Sequence, residues 1–254
     1  MMTDRKFANT LARGLSVLRA FRISDDGLSH SQIVERTGLS PATITRLTYT
    51  LKELGYLSQN GNLLRLGPSA LALASVAQTS TSFLDLAEAP MQELANQTQT
   101  LVLMAVRDGG SMTLVRTWRP RNAGSIWLET GNRVPMARSS TGQGFLAGLS
   151  EGRFAAMDPD EELIQQRKDA HAQLAAQGFV FVQGEARFSQ TINAVSRPFF
   201  ASDLGEPVVF GCGATPAELT DERILAEVGP MLRDAMRDLE LKTGGRRALD
   251  QLRT

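Results

Sequence analysis

The sequence predicts a mixed α/β (α+β) chain: an N-terminal winged helix-turn-helix, then a larger domain with helices around an antiparallel sheet. Three observations carry that prediction. The first sixty-six residues hold three helical apolar repeats and a hairpin signal. From Leu101 onward, short alternating apolar runs are separated by turn residues and interleaved with helical stretches. Charge is split as well: residues 1–66 hold nine Lys/Arg against five Asp/Glu, net +4, while residues 67–254 hold eighteen against twenty-two, net −4. A basic front end on an acidic body is the pattern of a modular nucleic-acid binder.

Composition sets the bounds. With 42% apolar and 21% charged residues the chain reads as globular, which excludes wholesale disorder. The single cysteine, Cys212, has no intramolecular disulfide partner, so nothing points to an oxidising compartment. No apolar run is long enough to span a bilayer. The stretch Met1 to Thr10 is polar and lacks the apolar core of a signal peptide. A cytoplasmic protein without a membrane partner is expected.

In the first helix Leu11, Leu15, Leu18 and Phe21 form an apolar stripe, which Asp25-Asp26-Gly27 ends. The second helix opens at Ser29, with Gln32 three residues on as a capping box; Ile33 and Val34 are its core and Thr37-Gly38 its end. His30 reads as a solvated residue of its first turn. After the turn Gly38-Leu39, Ser40 suits an N-cap and Pro41 the first helical position. Ile44, Leu47, Leu51 and Leu54 form the buried stripe of this third helix. At about 100° per residue, Ala42, Thr45, Arg46 and Tyr49 then fall on the opposite face, where a recognition helix meets base edges. Arg46 is placed to pair with guanine, and Thr43, at the boundary, to reach a phosphate. Tyr56–Gln59 and Leu63–Leu66 read as strands joined by Asn60-Gly61, a type I′ hairpin signal in which both central residues take positive φ. Arg65 and the wing tip are candidate phosphate contacts. The alternative is a winged helix that binds protein, making the chain a non-enzymatic sensor or scaffold. The small, polar, basic outer face of the third helix favours DNA.

The order of these motifs resembles a known family, the isocitrate lyase regulator (IclR) type of bacterial transcription factor. Leu11-Ala12-Arg13-Gly14-Leu15-Ser16-Val17-Leu18 is similar to the start of its first helix, and Thr37 to Leu47 to its turn and recognition helix. Leu51 to Leu57 and Arg65-Leu66-Gly67 resemble its helix end and wing exit. Thr43 and Arg46 match the family. Ser40 and Pro41 stand where it often has proline and a basic residue, and Ala42 and Thr45 differ from its commoner residues. The resemblance continues through the second domain. It implies a GAF-like effector-binding sheet domain, a small organic acid, with an aromatic one among the options, as effector, and a homodimer or homotetramer on a palindromic double-stranded operator.

The expected organisation is residues 1–66 as reader, 67–81 as a linker helix that packs domains or dimerises, 82–243 as the effector-binding and oligomerising domain, and 244–254 as a tail. A helix is expected from Ser82 to Thr98, kinked or broken at Pro90. Strands are expected at Leu101–Arg107, Met112–Thr117, Ser125–Leu128, Phe179–Gln183, Ile192–Phe200 and Val208–Cys212. Helices are expected at Thr141–Leu149, Glu161–Gln177 and Thr220–Leu241. Asp108-Gly109-Gly110 reads as a hairpin turn. The last helix keeps Ile224, Leu225, Val228, Met231, Leu232, Ala235, Met236 and Leu239 on one face.

Two stretches are candidates for an effector site. Gly131 to Gly144 brings small hydroxyl residues into a helix start, which suits an anion and equally suits an ordinary capped helix. The resemblance assigns this segment and the strand Asn193 to Pro198 to the effector cavity, and by position Ser139, Ser140, Asn193, Ala194 and Ser196 carry over; Gly142 lies in the same segment. Gln143 stands for a common lysine and Ala194 for a frequent cysteine. Met104, Trp118, Trp127, Phe145 and Phe199 are candidates for apolar walls or plain core. Arg138 or Arg116 is placed to bind a carboxylate or to form a solvated ion pair. Cys212 reads as a small core residue. His30 and His171 are far apart, His171 being on the inner side of a stripe with Ile164 and Leu174. No clustered metal ligands, Walker loop or nucleophile elbow occur, so no enzyme, cofactor or metal is expected.

Overall fold

The computed structural model describes residues 6–79, 81, 83–121, 126–200 and 204–243. The expectations for Ser82, Ser125 and residues 244–254 fall outside them. The chain divides into two compact units, Met1–Ser80 and Thr81–Thr254.

The first unit holds α1 (Asn9–Arg19), α2 (His30–Thr37), α3 (Pro41–Glu53), the hairpin β1 (Leu57–Asn60) and β2 (Leu63–Leu66), and α4 (Pro68–Thr79). Its core is Val17, Leu28, Ile33, Ile44, Leu57 and Leu64, with Leu18, Phe21, Val34, Leu47 and Leu51 packed around them. Full burial of each such aliphatic side chain is worth roughly 1.5–3 kcal/mol. Leu28 exchanges both backbone hydrogen bonds with Leu64 at 2.8 Å, which ties the segment before α2 to the wing.

Several expectations shift. α1 ends at Arg19, not at Asp25–Gly27. Asp25 instead accepts from its own turn, at Arg22 N (2.7 Å), and from Arg36, whose guanidinium also donates to Ala20 O. Such side-chain-to-backbone bonds compete with helix. Leu11 and Leu15 are exposed: α1 turns Val17, with Leu18 and Phe21 beside it, into the core instead. Leu54 is also exposed: it follows Glu53 as the C-cap, and Thr48 takes the buried place one turn after Ile44. In the hairpin, Asn60 pairs with Leu63, so the loop is Gly61-Asn62. Only Gly61 takes positive φ, at 58°, which is the II′ pattern with glycine first, not I′. Gly109-Gly110 repeats it between β3 and β4.

The second unit begins with α5 (Phe83–Thr98), then β3 (Leu101–Asp108), β4 (Ser111–Trp118), β5 (Arg133–Pro135), α6 (Ser140–Gly148), α7 (Glu151–Ala155) and α8 (Glu161–Gln177). β6 (Val180–Phe181), β7 (Asn193–Phe200), β8 (Pro207–Ala214), α9 (Asp221–Arg223) and α10 (Gly229–Thr243) follow. The strands form an antiparallel six-stranded sheet in the order β5-β4-β3-β8-β7-β6. Strand alternation gives it two cores. On one face α5 and α10 cover Val102, Met104, Trp118, Val195, Phe199, Phe210 and Cys212. On the other, α6 covers Leu103, Ala105, Met112, Leu114 and Val209 through Phe145 and Leu146.

α5 runs through Pro90 without a break. Proline removes one helical hydrogen bond, and buried Ala87, Met91, Leu94 and Ala95 hold the helix on line. Ile126–Leu128 is not a strand. Leu128 N turns back to Ile126 O at 3.0 Å, and β5 supplies the edge strand instead. The last helix contains a wide π turn, Ile224–Val228, whose extra residue turns Leu225 out to solvent while Ile224, Val228, Leu232, Met236 and Leu239 stay buried. On α8, Ala170 and Leu174 face inward, His171 is half-buried and Ile164 is exposed, so the inner stripe lies one residue away from the expected one.

Candidate nucleic-acid interface and effector site

α2, a tight turn and α3 build the candidate nucleic-acid interface. Ser29 caps α2 in a complete capping box with Gln32, and Gly38 closes it at φ 68°, a left-handed position suited to glycine. Ser40 then caps α3, its Oγ accepting from Thr43 N at 3.4 Å and lying 2.9 Å from Thr43 Oγ1. With Ile44 and Thr48 buried, the outer face falls to Ala42, Thr45, Arg46 and Tyr49, all exposed, with Thr43 half-buried at the boundary. Thr45 Oγ1 donates to Pro41 O at 3.0 Å, while the Arg46 and Tyr49 side chains project without a side-chain partner among the described residues. Arg65 is different. Its guanidinium donates to Asp26 Oδ1 at 2.6 Å and to Asp26 O at 2.9 Å, bracing the wing against the segment before α2. It is therefore a weaker candidate for phosphate than the sequence implies.

Two further features of this unit had no signal in periodicity. His30 is half-buried, with Nε2 3.0 Å from Thr48 Oγ1, so it is not simply solvated. The Arg36 guanidinium, hydrogen-bonded to Asp25, holds the Asp25 carboxyl below its usual range. Apolar side chains also stay uncovered: Phe7, Leu11 and Leu15 at the front, and Leu71, Leu73 and Val76 on α4, which buries no residue in this unit.

In the second unit, the seam between α6 and β7 gathers part of the expected effector site. Ser139 caps α6: its Oγ accepts from Gly142 N at 2.9 Å and donates to Pro135 O at 2.5 Å. Ser140 Oγ donates to Ala194 O at 2.6 Å and accepts from Val182 N at 3.2 Å. Ser196 Oγ donates to Ser140 O at 2.6 Å. The glycines allow this close approach. A Cβ on Gly142 would sit 2.0 Å from Met136 O, and one on Gly144 would sit 2.4 Å from Ser196 Oγ. Arg138, just before the cap, is held at φ 62°, strained for a residue with a side chain. All three seam hydroxyls thus bond backbone, and the Ser140–Ala194 and Ser196–Ser140 bonds cross from α6 to β7.

The other expected residues do not join this seam. Met104 lies on the opposite face of the sheet, in the α5/α10 core, because alternation along β3 sends it away from α6. Asn193 shares that parity; its Nδ2 donates to Leu219 O and Asp221 Oδ1, both at 2.8 Å. Arg138 donates to Glu185 O and Ala186 O, so its guanidinium clamps a loop instead of meeting a carboxylate. Arg116 forms an exposed ion pair with Glu88 at 3.4 Å. Trp118, Phe145 and Phe199 are core. Trp127 is 85% exposed, held out by Arg119, which donates to the carbonyls on either side of it, Ile126 O at 3.0 Å and Leu128 O at 2.7 Å. Cys212 is fully buried, and desolvation pushes its thiol up to about 12. Among the described residues no three His, Cys, Asp or Glu are grouped to hold a metal ion, and no helix is long and apolar enough to cross a membrane.

Comparison with known proteins decides what this arrangement belongs to. The IclR helix-turn-helix domain model matches residues 10–61, the segment from α1 to the hairpin turn. The HTH-type transcriptional regulator TsaQ1/TsaQ2 of Comamonas testosteroni is 25% identical over 91% of this chain and 87% of its own. The crystal structure of an IclR family transcriptional regulator from Brucella abortus superposes with a TM-score of 0.78, 28% identity and 94% coverage of both chains. The chain is an IclR-type transcriptional regulator. As such it is a regulator and not an enzyme, and its two units carry the mixed helix-and-sheet fold of that family's solved structures. The p-hydroxybenzoate hydroxylase transcriptional activator of Acinetobacter baylyi is 32% identical to this regulator over 55% of the chain and 53% of its own. An IclR homolog from Microbacterium hydrocarbonoxydans, solved as a complex with 4-hydroxybenzoate, shares its fold at a TM-score of 0.63 and 18% identity, covering 90% of this chain and 99% of that one.

Proposed function

We propose that this regulator reads a palindromic double-stranded DNA operator through α3, as a homodimer or dimer of dimers, and that a small organic acid of aromatic character tunes that binding from the second unit. Residues 1–66 serve as the reader, 67–81 as the linker and 82–243 as the effector-binding, oligomerising body. The observation that carries the reading is the outer face of α3. In an IclR helix-turn-helix domain it presents Ala42, Thr45, Arg46 and Tyr49 to solvent, with Arg46 unengaged by any described side chain. A guanidinium in that place pairs in bidentate fashion with guanine O6 and N7, while Ser40 and Thr43 at the helix start suit phosphate. Two copies present two such helices, and half-sites ~34 Å apart put them in successive major grooves. The uncovered leucines of α1 and α4 support self-association, because exposed large apolar side chains gain from burial against a second copy.

For the effector, the favoured place is the α6–β7 seam. Ser139, Ser140, Gly142, Ala194 and Ser196 meet there beside the strained Arg138. Hydroxyls and helix-start N–H groups suit a carboxylate. The activator named for p-hydroxybenzoate hydroxylase and the homolog complexed with 4-hydroxybenzoate support an aromatic acid as the class.

The test is fluorescence anisotropy on the DNA upstream of the regulator's own gene, across a salt series, against a scrambled duplex. Selective binding that weakens as salt rises is expected, with 4-hydroxybenzoate and related acids shifting the midpoint. Ser196→Leu should abolish that shift and spare DNA binding. Absence of selective binding to genomic DNA at any salt overturns the reading.

A further inference from the structure

We propose that His30 is a positioning residue for base reading, acting through Thr48 on the turn of α3 that carries Thr45 and Arg46; this rests on the DNA-reading role above. His30 opens α2 directly after the Ser29 cap, so the capping box fixes the backbone from which its ring projects. Its Nε2 lies 3.0 Å from Thr48 Oγ1 across the α2–α3 interface. Thr48 is 1% exposed, and its hydroxyl donates to Ile44 O at 2.8 Å, with Thr45 O at 3.2 Å as a second acceptor. A hydroxyl carries a single proton. With that proton aimed at the helix carbonyls, Thr48 Oγ1 accepts from the imidazole, and His30 donates through Nε2–H.

Two observations separate this contact from plain packing. Thr48 is already satisfied inside α3, so the imidazole is not needed to rescue a buried polar group. The α2–α3 interface already has an apolar core in Ile33 and Ile44, both fully buried. What the ring adds is direction. Its N–H occupies an outward lone pair of the Thr48 oxygen and keeps the proton on the carbonyls of Ile44 and Thr45. Back-bonding of this kind bends a helix locally. The back-bonded turn, residues 44–48, bears exposed Thr45 and Arg46. A small change of curvature there moves the Arg46 fork relative to a base edge, and bidentate pairing tolerates little displacement.

The experiment uses the full chain as wild type, H30A, H30Q, T48V and the H30A/T48V pair. Each is bound to a duplex library with a randomised core, retained duplexes are sequenced, and melting is followed alongside. H30A and T48V should each relax discrimination at the base positions the wild type selects most strongly, by roughly 3- to 10-fold, with unchanged melting. The pair should be no worse than either single variant, and H30Q, which keeps an N–H donor, should retain the wild-type preference. Unchanged base preference in H30A and T48V overturns the proposal, as does a pair whose losses add. If H30A melts early, H30Q and T48V decide: a relaxed T48V beside a wild-type-like H30Q supports the role, and an unchanged T48V overturns it. A wild type that selects no sequence at all removes the DNA-reading role itself, a result distinct from the others.

Discussion

The outer face of α3 and the α6–β7 seam both carry hydroxyl side chains and use their polar groups in opposite ways. On α3, Thr45, Arg46 and Tyr49 point outward, and the charged group has no described side-chain partner. In the seam, Ser139, Ser140 and Ser196 point inward and bond backbone within one tight contact. An outward polar face is free to meet a partner but adds little to folding. An inward polar seam is part of the fold, so a ligand entering it must exchange one set of hydrogen bonds for another. Binding in the seam is therefore coupled to packing of the second unit, whereas binding at α3 leaves its core untouched.

That contrast can be broken most forcefully at Gly142. A methyl group there would meet Met136 O at 2.0 Å, a backbone atom that does not yield easily. Gly142→Ala should destabilise the second unit by about 3 kcal/mol, read as an early melting transition, while a reader-only fragment of the same preparation serves as the unaffected control. Melting equal to wild type would mean that the seam is looser than described. At α3 the effect should appear in binding and not in folding. Arg46→Ala should weaken operator binding by about 1–3 kcal/mol and relax preference at one base position, with the melting curve unchanged.

The smallest expected effect belongs to the loop between α1 and α2. Asp25, held low by Arg36, favours the folded state wherever the unfolded carboxyl would also be ionised, above pH ~4. As pH falls through the depressed folded value, Asp25 takes up its proton and the contribution is lost. Unfolding free energies of wild type and Asp25→Asn from denaturant titrations should differ by about 1 kcal/mol at neutral pH and converge in acid. A gap that persists below that range would assign the effect to something other than the carboxylate charge.

The reader was legible because local rules decide most of it. The Ser29–Gln32 box, Gly38, and Ser40-Pro41 are signals within a few residues, and the period of Ile44 to Leu51 sets which face is exposed. Where local rules gave way, a tertiary contact explains it: the Arg36–Asp25 pair ended α1 early, and the wing register moved the turn to Gly61-Asn62. The second unit was legible as strands and helices but less so as a site. Met104 and Ser196 are separated by sheet parity, and parity across strands depends on register, which no single strand announces. The π turn at Ile224–Val228 likewise has no marker in an otherwise regular apolar repeat. The buried Arg197–Glu240 pair, joining β7 to α10, reads in the sequence as two ordinary surface charges.

The protein's two tryptophans stand in opposite surroundings, and both lie in the second unit. Trp118 is 3% exposed and stacked on Phe210, with ring centroids 6.1 Å apart, while Trp127 stands 85% in solvent above the Arg119 clasp. Their emission should separate into a blue component shielded from a dissolved quencher and a red component open to it. The chain thus carries a two-colour optical gauge of its own, blind to the reader and tuned to the half of the molecule where a small molecule would act.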